Sequence, residues 1–368
     1  MNGYIYTGSG NSLHKYATGD ESFVYKLDSD LNKVWEYSVG TSIVRGSVVL
    51  DSSENIYFVL QTNVSPNDYS GSSFYLRSIS PSGVFRWDVP IDGVGVNNVG
   101  MLAPAIGASD TIYVVSETAM AVNTSGASIY NVDPSGSGDL GAMNSPILDD
   151  SENLYFSAGS VVYSLNSAGA TRWSYDPGTG ANSYSSLAFN NERNAVFTAI
   201  GDTIYKINTA DGTLAWSYRP TGVSGEFRAT PAIDGTGNVY IGNKSDADSV
   251  LYAIKSDGSG LLWKQEQIQA DLYSSPTISR DDVLYIGSER SDDLGGDFHA
   301  INLATGEVLW SVDIDAGTWG TTPFFLESQL YTSNRGKLCI IESDSVDLSG
   351  SAGSAKFRGQ AANNGRYP

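Results

Sequence analysis

One cysteine and two histidines in 368 residues leave little room for several kinds of chemistry. Cys339 alone excludes an intrachain disulfide and a cysteine-rich zinc site, and His14 with His299 is too small a set for a histidine-based metal cluster. No apolar run nears the ~18 residues that a membrane-spanning helix needs. Basic residues are also scarce, 21 Lys and Arg against 41 Asp and Glu, for a net charge of −20. A surface of that sign repels phosphate backbones and anionic lipid, so no nucleic-acid partner is expected. No stretch sustains a 3.6-residue apolar period, so helices should be nearly absent. The opening Met1-Asn2-Gly3-Tyr4-Ile5-Tyr6 enters a strand-like pattern at once and does not read as a signal peptide.

What is abundant is glycine, 40 residues, together with 22 tyrosines. Glycine serves tight turns and tyrosine serves strands, which points to many short strands. Six of the seven tryptophans stand at 35, 87, 173, 216, 263 and 310, with gaps of 52, 86, 43, 47 and 47. Tyr130 fills the doubled gap, giving a column of Trp35, Trp87, Tyr130, Trp173, Trp216, Trp263 and Trp310. A second column holds Tyr6, Tyr57, Tyr113, Tyr155, Phe197, Tyr240, Tyr285 and Tyr331. A third, between them, holds Tyr25, Arg77, Met120, Tyr163, Tyr205, Tyr252, His299 and Cys339.

The clearest unit, Ser274 to Asp313, divides into four strand-sized pieces: Pro276 to Ser279, Val283 to Gly287, Phe298 to Leu303 and Glu307 to Asp313. Four short strands recurring at such a spacing are the mark of a propeller blade. Stacking blades buries the two apolar faces that a lone sheet would expose, and one large aromatic per unit fills the gap between neighbours. The expected fold is all-β: one domain over 1–368, an eight-bladed β-propeller of four-stranded antiparallel blades, with seven blades as the alternative. The first and last units are incomplete, and a tail from about 344 to 368 is expected to close the ring or pack on it.

The repeat resembles the pyrroloquinoline-quinone-type propeller family, within the wider group of WD40-like and quinoprotein-like propellers. The resemblance is carried by Ile301-Asn302-Leu303-Ala304-Thr305-Gly306-Glu307-Val308-Leu309-Trp310 and by Tyr205-Lys206-Ile207-Asn208-Thr209-Ala210-Asp211-Gly212-Thr213-Leu214-Ala215-Trp216. Ser275-Pro276, Tyr285-Ile286-Gly287 and the C-terminal Lys356-Phe357-Arg358-Gly359 add to it. It implies the fold across essentially the whole chain. Members of that family include quinoprotein dehydrogenases and the outer-membrane assembly lipoprotein, and this chain resembles the second type more. The dehydrogenases' adjacent cysteine pair and haem motif have no counterpart here, and none of their catalytic positions is matched.

Motifs that could carry chemistry have plainer structural readings beside them. His299 and Cys339 sit in a column otherwise rich in tyrosine and read as packed strand residues, and His14 as solvated. Asp28-Ser29-Asp30, Asp149-Asp150, Asp246-Ala247-Asp248, Asp281-Asp282 and Asp292-Asp293 offer oxygen ligands, but none completes a calcium loop and most stand where a hairpin must turn. Asp234-Gly235-Thr236-Gly237-Asn238 reads as a tight turn. Gly178-Thr179-Gly180 and Ser135-Gly136-Ser137-Gly138 lack the setting of a phosphate loop. Asn63-Val64-Ser65 and Asn123-Thr124-Ser125 meet the glycosylation pattern, which is frequent by chance in so Ser- and Asn-rich a chain. Two loops exceed the basic unit, Gln61 to Ser73 and Ser288 to Asp297. Arg45, Glu226, Arg228 and Trp319 fall at or just before first-strand positions, which in a propeller line the central channel, and are the candidate ligand contacts.

The expected function is a non-catalytic scaffold binding a protein or glycan partner, monomeric, and periplasmic, extracellular or at the cell surface; a cytoplasmic location is left open. The alternative is an enzyme, either a quinoprotein-like oxidoreductase or a carbohydrate-active propeller. No catalytic residue and no cofactor is assigned, with Ca²⁺ the one ion the loops could take.

Overall fold

The computed structural model describes residues 3–9, 21–62, 72–91, 103–137, 140, 144–245, 249–268, 270–290, 295–314, 322–326, 329–334 and 337–341. Among these the regular structure is entirely β-strand. Two compact units divide the chain, one running to Asp176 and the other beginning at Pro177, and each carries four antiparallel sheets.

In the first unit, blade 1 has three strands, Ile5–Gly8, Ser22–Leu27 and Lys33–Gly40. Blade 2 has Ile43–Leu50, Ile56–Thr62, Ser73–Ile79 and Phe85–Ile91; blade 3 has Ala105–Ile106, Ile112–Val115, Ala119–Val122 and Ser128–Val132. Blade 4 has Ile147–Leu148, Leu154–Ala158, Val161–Leu165 and Thr171–Tyr175. In the second unit, blade 5 has Ala188–Phe189, Ala195–Ile200, Thr203–Asn208 and Leu214–Tyr218. Blade 6 has Glu226–Phe227, Ala232–Ile233, Val239–Lys244, Leu251–Ile254 and Leu261–Gln265. Blade 7 has Thr277–Ile278, Val283–Gly287, Asp297–Asn302 and Val308–Asp313, and blade 8 ends the series with Phe324–Leu326, Gln329–Asn334 and Lys337–Ile341. Within each sheet the strands pair antiparallel, in chain order except where blade 6 has a divided first strand. The fold class is the eight-bladed, all-β propeller that the residue columns predict, not the seven-bladed alternative. The tail from 344 to 368 lies outside the described residues.

The aromatic columns meet inside blades 1 to 7. Second-strand aromatics face outer-strand aromatics with ring centroids 5.7 Å apart at Tyr57–Trp87, 5.8 Å at Tyr155–Trp173 and at Tyr240–Trp263, and 5.9 Å at Phe197–Trp216 and at Tyr285–Trp310. Tyr6–Trp35 and Tyr113–Tyr130 stand at 6.2 and 6.4 Å. Four of the indoles also tie their blade to the following one. Trp35 Nε1 donates to the Pro81 carbonyl at 3.1 Å and Trp87 Nε1 to that of Thr124 at 3.0 Å. Trp216 Nε1 donates to Ser256 at 2.9 Å and Trp263 Nε1 to Leu303 at 2.8 Å. Core clusters accordingly lie between successive blades, as where Val24 of blade 1 packs with Phe58 and Ile79 of blade 2. Tyr240 and Leu251 of blade 6 pack likewise with Ile286 and Ile301 of blade 7.

The first hairpin of several blades is fixed by one polar device. In blade 4, Asp149 Oδ1 accepts from the backbone N–H groups of Ser151 and Asn153, both at 2.9 Å, and Oδ2 accepts from Asn153 Nδ2 at 2.8 Å. The Tyr155 hydroxyl then donates to Asp149 Oδ2 at 2.9 Å. Asp51, Asn55 and Tyr57 repeat this arrangement, as do Asp234, Asn238 and Tyr240. The spacing is Asp-x-x-x-Asn-x-Tyr each time. The aspartates at 28, 149 and 234 are thus turn-formers, accepting from backbone N–H groups as Asx turns require.

Candidate functional site

Val239–Lys244 of blade 6 pairs with Glu226–Phe227 at one end and with Ala232–Ile233 at the other. The first strand of this blade is therefore interrupted, and Arg228 sits in the gap. Its neighbours are pinned to the flanking blades: the Phe227 N–H donates to the Gly201 carbonyl at 2.9 Å, and the Thr230 N–H to Ser275 Oγ at 3.0 Å.

From that fixed backbone the Arg228 guanidinium lies 4.7 Å from the ring centroid of Tyr184, in the approach to blade 5. The ring of Tyr273, in the approach to blade 7, is 5.8 Å away. Glu226, two residues earlier in the short strand that precedes the gap, accepts from Arg228 Nε at 2.7 Å and from Nη2 at 2.5 Å, both through Oε1. Arg228 and Glu226 keep 33% and 30% of their side-chain surface in solvent. Burial pushes the Tyr273 hydroxyl's ionisation upward, and the Asp271 and Glu289 carboxylates add to this while Lys244 and Arg228 oppose it. Cation–π contacts of this kind are worth roughly 0.5–1 kcal/mol when partly exposed. Their larger effect is to hold a flexible arginine in one place.

Tyr184 and Tyr273 are absent from the sequence-derived candidates. The signal was present, because Tyr184, Arg228 and Tyr273 share an offset ahead of Ala188-Phe189, Ala232-Ile233 and Thr277-Ile278. A search for charge alone picks out only the middle member.

Arg45 belongs to the first strand of blade 2 and is 8% exposed. Its Nε donates to Gln61 Oε1 at 2.7 Å, Nη2 reaches the same oxygen, and Gln61 donates onward to Ser72 Oγ at 2.9 Å. It is thus a buried partner of Gln61, separate in the chain from the Arg228 group. Trp319 and His14 lie outside the described residues, as do Asn63-Val64-Ser65, Asp246-Ala247-Asp248, Asp292-Asp293, and residues 63–71 and 291–294 of the long loops.

His299 is 5% exposed and spans three strands of blade 7. Its Nε2 lies 3.0 Å from Ser288 Oγ and its Nδ1 2.7 Å from Ser311 Oγ. Burial pushes its pKa down to about 4 against the opposing charge of Asp297, so the ring is neutral at pH 7. Cys339 is half-buried opposite Thr332 in blade 8. Among the described residues, no group of three or more His, Cys, Asp or Glu side chains is placed to hold a metal ion.

Solved structures share this fold. BamB from Moraxella catarrhalis aligns with a TM-score of 0.65 at 15% identity, over 91% of this chain and 99% of its own. A europium-containing methanol dehydrogenase gives 0.64 at 12% identity, over 90% of this chain and 80% of its own. The quinohemoprotein alcohol dehydrogenase of Comamonas testosteroni gives 0.64 at 12%, over 90% and 69%. At such identities the likeness is one of fold. No curated protein matches the chain. The family described as outer membrane protein assembly factor BamB does match, over residues 157–347, just over half of the sequence. The chain belongs to the BamB family of propellers.

Proposed function

We propose that this protein is a non-catalytic, monomeric scaffold that binds its partner through the approach to the first strands of blades 5 to 7. The observation carrying this reading is the row Tyr184, Arg228, Tyr273: three large side chains from three consecutive blades, partly exposed and held by the flanking backbone. Tyrosine and arginine on a rigid support are the residue types that concentrate binding energy at interfaces. The other conspicuous polar groups have structural work inside the blades. Arg45 holds Gln61, His299 joins three strands, and Asp51, Asp149 and Asp234 fix hairpins. Family membership supports an exported location, periplasmic or against the outer membrane. No cofactor enters this account.

A photo-activated cross-linker at Tyr184, compared with one at the 61% exposed Val84, tests the reading in the native host. Adducts with a protein or glycan are expected at position 184 and not at position 84. Adducts at 84 alone, or at neither position, contradict it.

A further inference from the structure

We infer that the Tyr184–Arg228–Tyr273 row is a subsite for a neutral sugar. This rests on the scaffold reading and names the ligand class of the same site. Glu226 neutralises Arg228 at contact distance. The charged groups acting on Tyr273 are the cations Lys244 and Arg228 and the carboxylates Asp271 and Glu289. With Glu226 added, the surroundings have no cationic excess, and the chain as a whole carries −20. An anion gains nothing on approach, and a small cation meets the guanidinium.

The hydrogen-bonding capacity left over is specific. Both bonds between the pair run through Glu226 Oε1. Among the described residues, Arg228 Nη1 and Glu226 Oε2 make no hydrogen bond, which leaves a donor group and an acceptor of the pair for a ligand. Hydroxyls of a sugar each donate and accept, and can use both kinds of group. On either side in the chain's blade order stand the half-buried tyrosines, whose rings add apolar surface beside the pair and whose hydroxyls stand at their tips. Net-neutral polar groups beside aromatic faces are complementary to an uncharged polyol.

The test is native electrophoresis of the full chain through gels containing a soluble polysaccharide. The neutral probes are amylopectin, hydroxyethylcellulose, xyloglucan, galactomannan and glycol chitin, and the anionic probes are alginate and dextran sulfate. We expect retardation by at least one neutral polymer. It should weaken about tenfold or more in Arg228→Ala and in Tyr184→Ala, each melting as the parent does. Glu226→Gln separates the chemistries: loss of an ionised acceptor weakens a sugar site, whereas removal of a repelling carboxylate strengthens an anion site. Retardation by no neutral polymer, by the anionic polymers alone, or more strongly in Glu226→Gln overturns the inference. If that happens while a protein is still cross-linked at position 184, the sugar assignment fails and the scaffold reading stands.

Discussion

The indole of Trp263 lies against the turn glycine of the following blade, Gly306. A Cβ built on Gly306 would fall 2.6 Å from the ring, and Gly306 has a φ of +76°. Gly258 stands in the same relation to Trp216, with a φ of +72° and the same 2.6 Å approach; Gly126 repeats it over Trp87 at 2.9 Å. Each of these three glycines, just ahead of its blade's outer strand, therefore makes its turn and leaves room for the preceding blade's indole. Gly306→Ala should cost roughly 2–4 kcal/mol, from left-handed strain and overpacking together. Gly136→Ala is the control, because Gly136 has a φ of +69° with nothing within 4 Å. It should cost only ~1–2 kcal/mol. Urea unfolding of the two variants checks the difference, and equal losses would mean that the indole contact contributes nothing.

Removing the indole tests the same junction from the other side. Trp263→Ala loses its packing on Tyr240 and the bond to the Leu303 carbonyl. A loss of about 3–5 kcal/mol is expected by chemical denaturation. A loss below ~1 kcal/mol would show that the column is decorative.

The hydroxyl of Tyr155 connects Asp149 to Arg172, whose Nη1 donates to it at 2.8 Å. Tyr155→Phe keeps the ring and removes that connection, and should destabilise by about 1–2 kcal/mol. Burial and the neighbouring Asp149 carboxylate push this hydroxyl's pKa up to about 12, so it stays protonated throughout the working range. An absorbance titration should find it unionised at pH 10, and ionisation near pH 10 would contradict the buried bond.

His299 sets an acid limit. Its pKa falls to about 4 in the fold from an ordinary 6.5, so the unfolded chain binds the extra proton first. Stability should be complete above pH 6.5 and decline as pH falls towards 4, by at most about 3 kcal/mol. His299→Gln should flatten the dependence in that window. An unchanged profile in the variant would remove His299 as its cause.

Much of the architecture was legible because buried aromatics must recur once per blade, and Trp35 to Trp310 do so at a readable period. Two details were equally visible and are recognised only through their contacts. The spacing of Asp51, Asn55 and Tyr57 recurs at 149–155 and 234–240, yet each aspartate taken singly reads as turn or calcium ligand. Glu226 and Arg228 are two apart in sequence, one in the short strand and the other in the gap after it, and their pairing shows only in the contact itself. The shared offset of Tyr184, Arg228 and Tyr273 was visible, but their meeting was not, since it depends on three segments more than 40 residues apart converging at blade approaches. Arg45 shows the converse: at a comparable first-strand position, burial against Gln61 gives it a different role.

The measurement that tests the central claim most directly is calorimetric titration of the metal-stripped protein with pyrroloquinoline quinone and Ca²⁺. A binding scaffold predicts no quinone heat, with or without Ca²⁺, from a protein that still melts cooperatively. Tight, Ca²⁺-dependent quinone binding would contradict the account and make the chain an oxidoreductase.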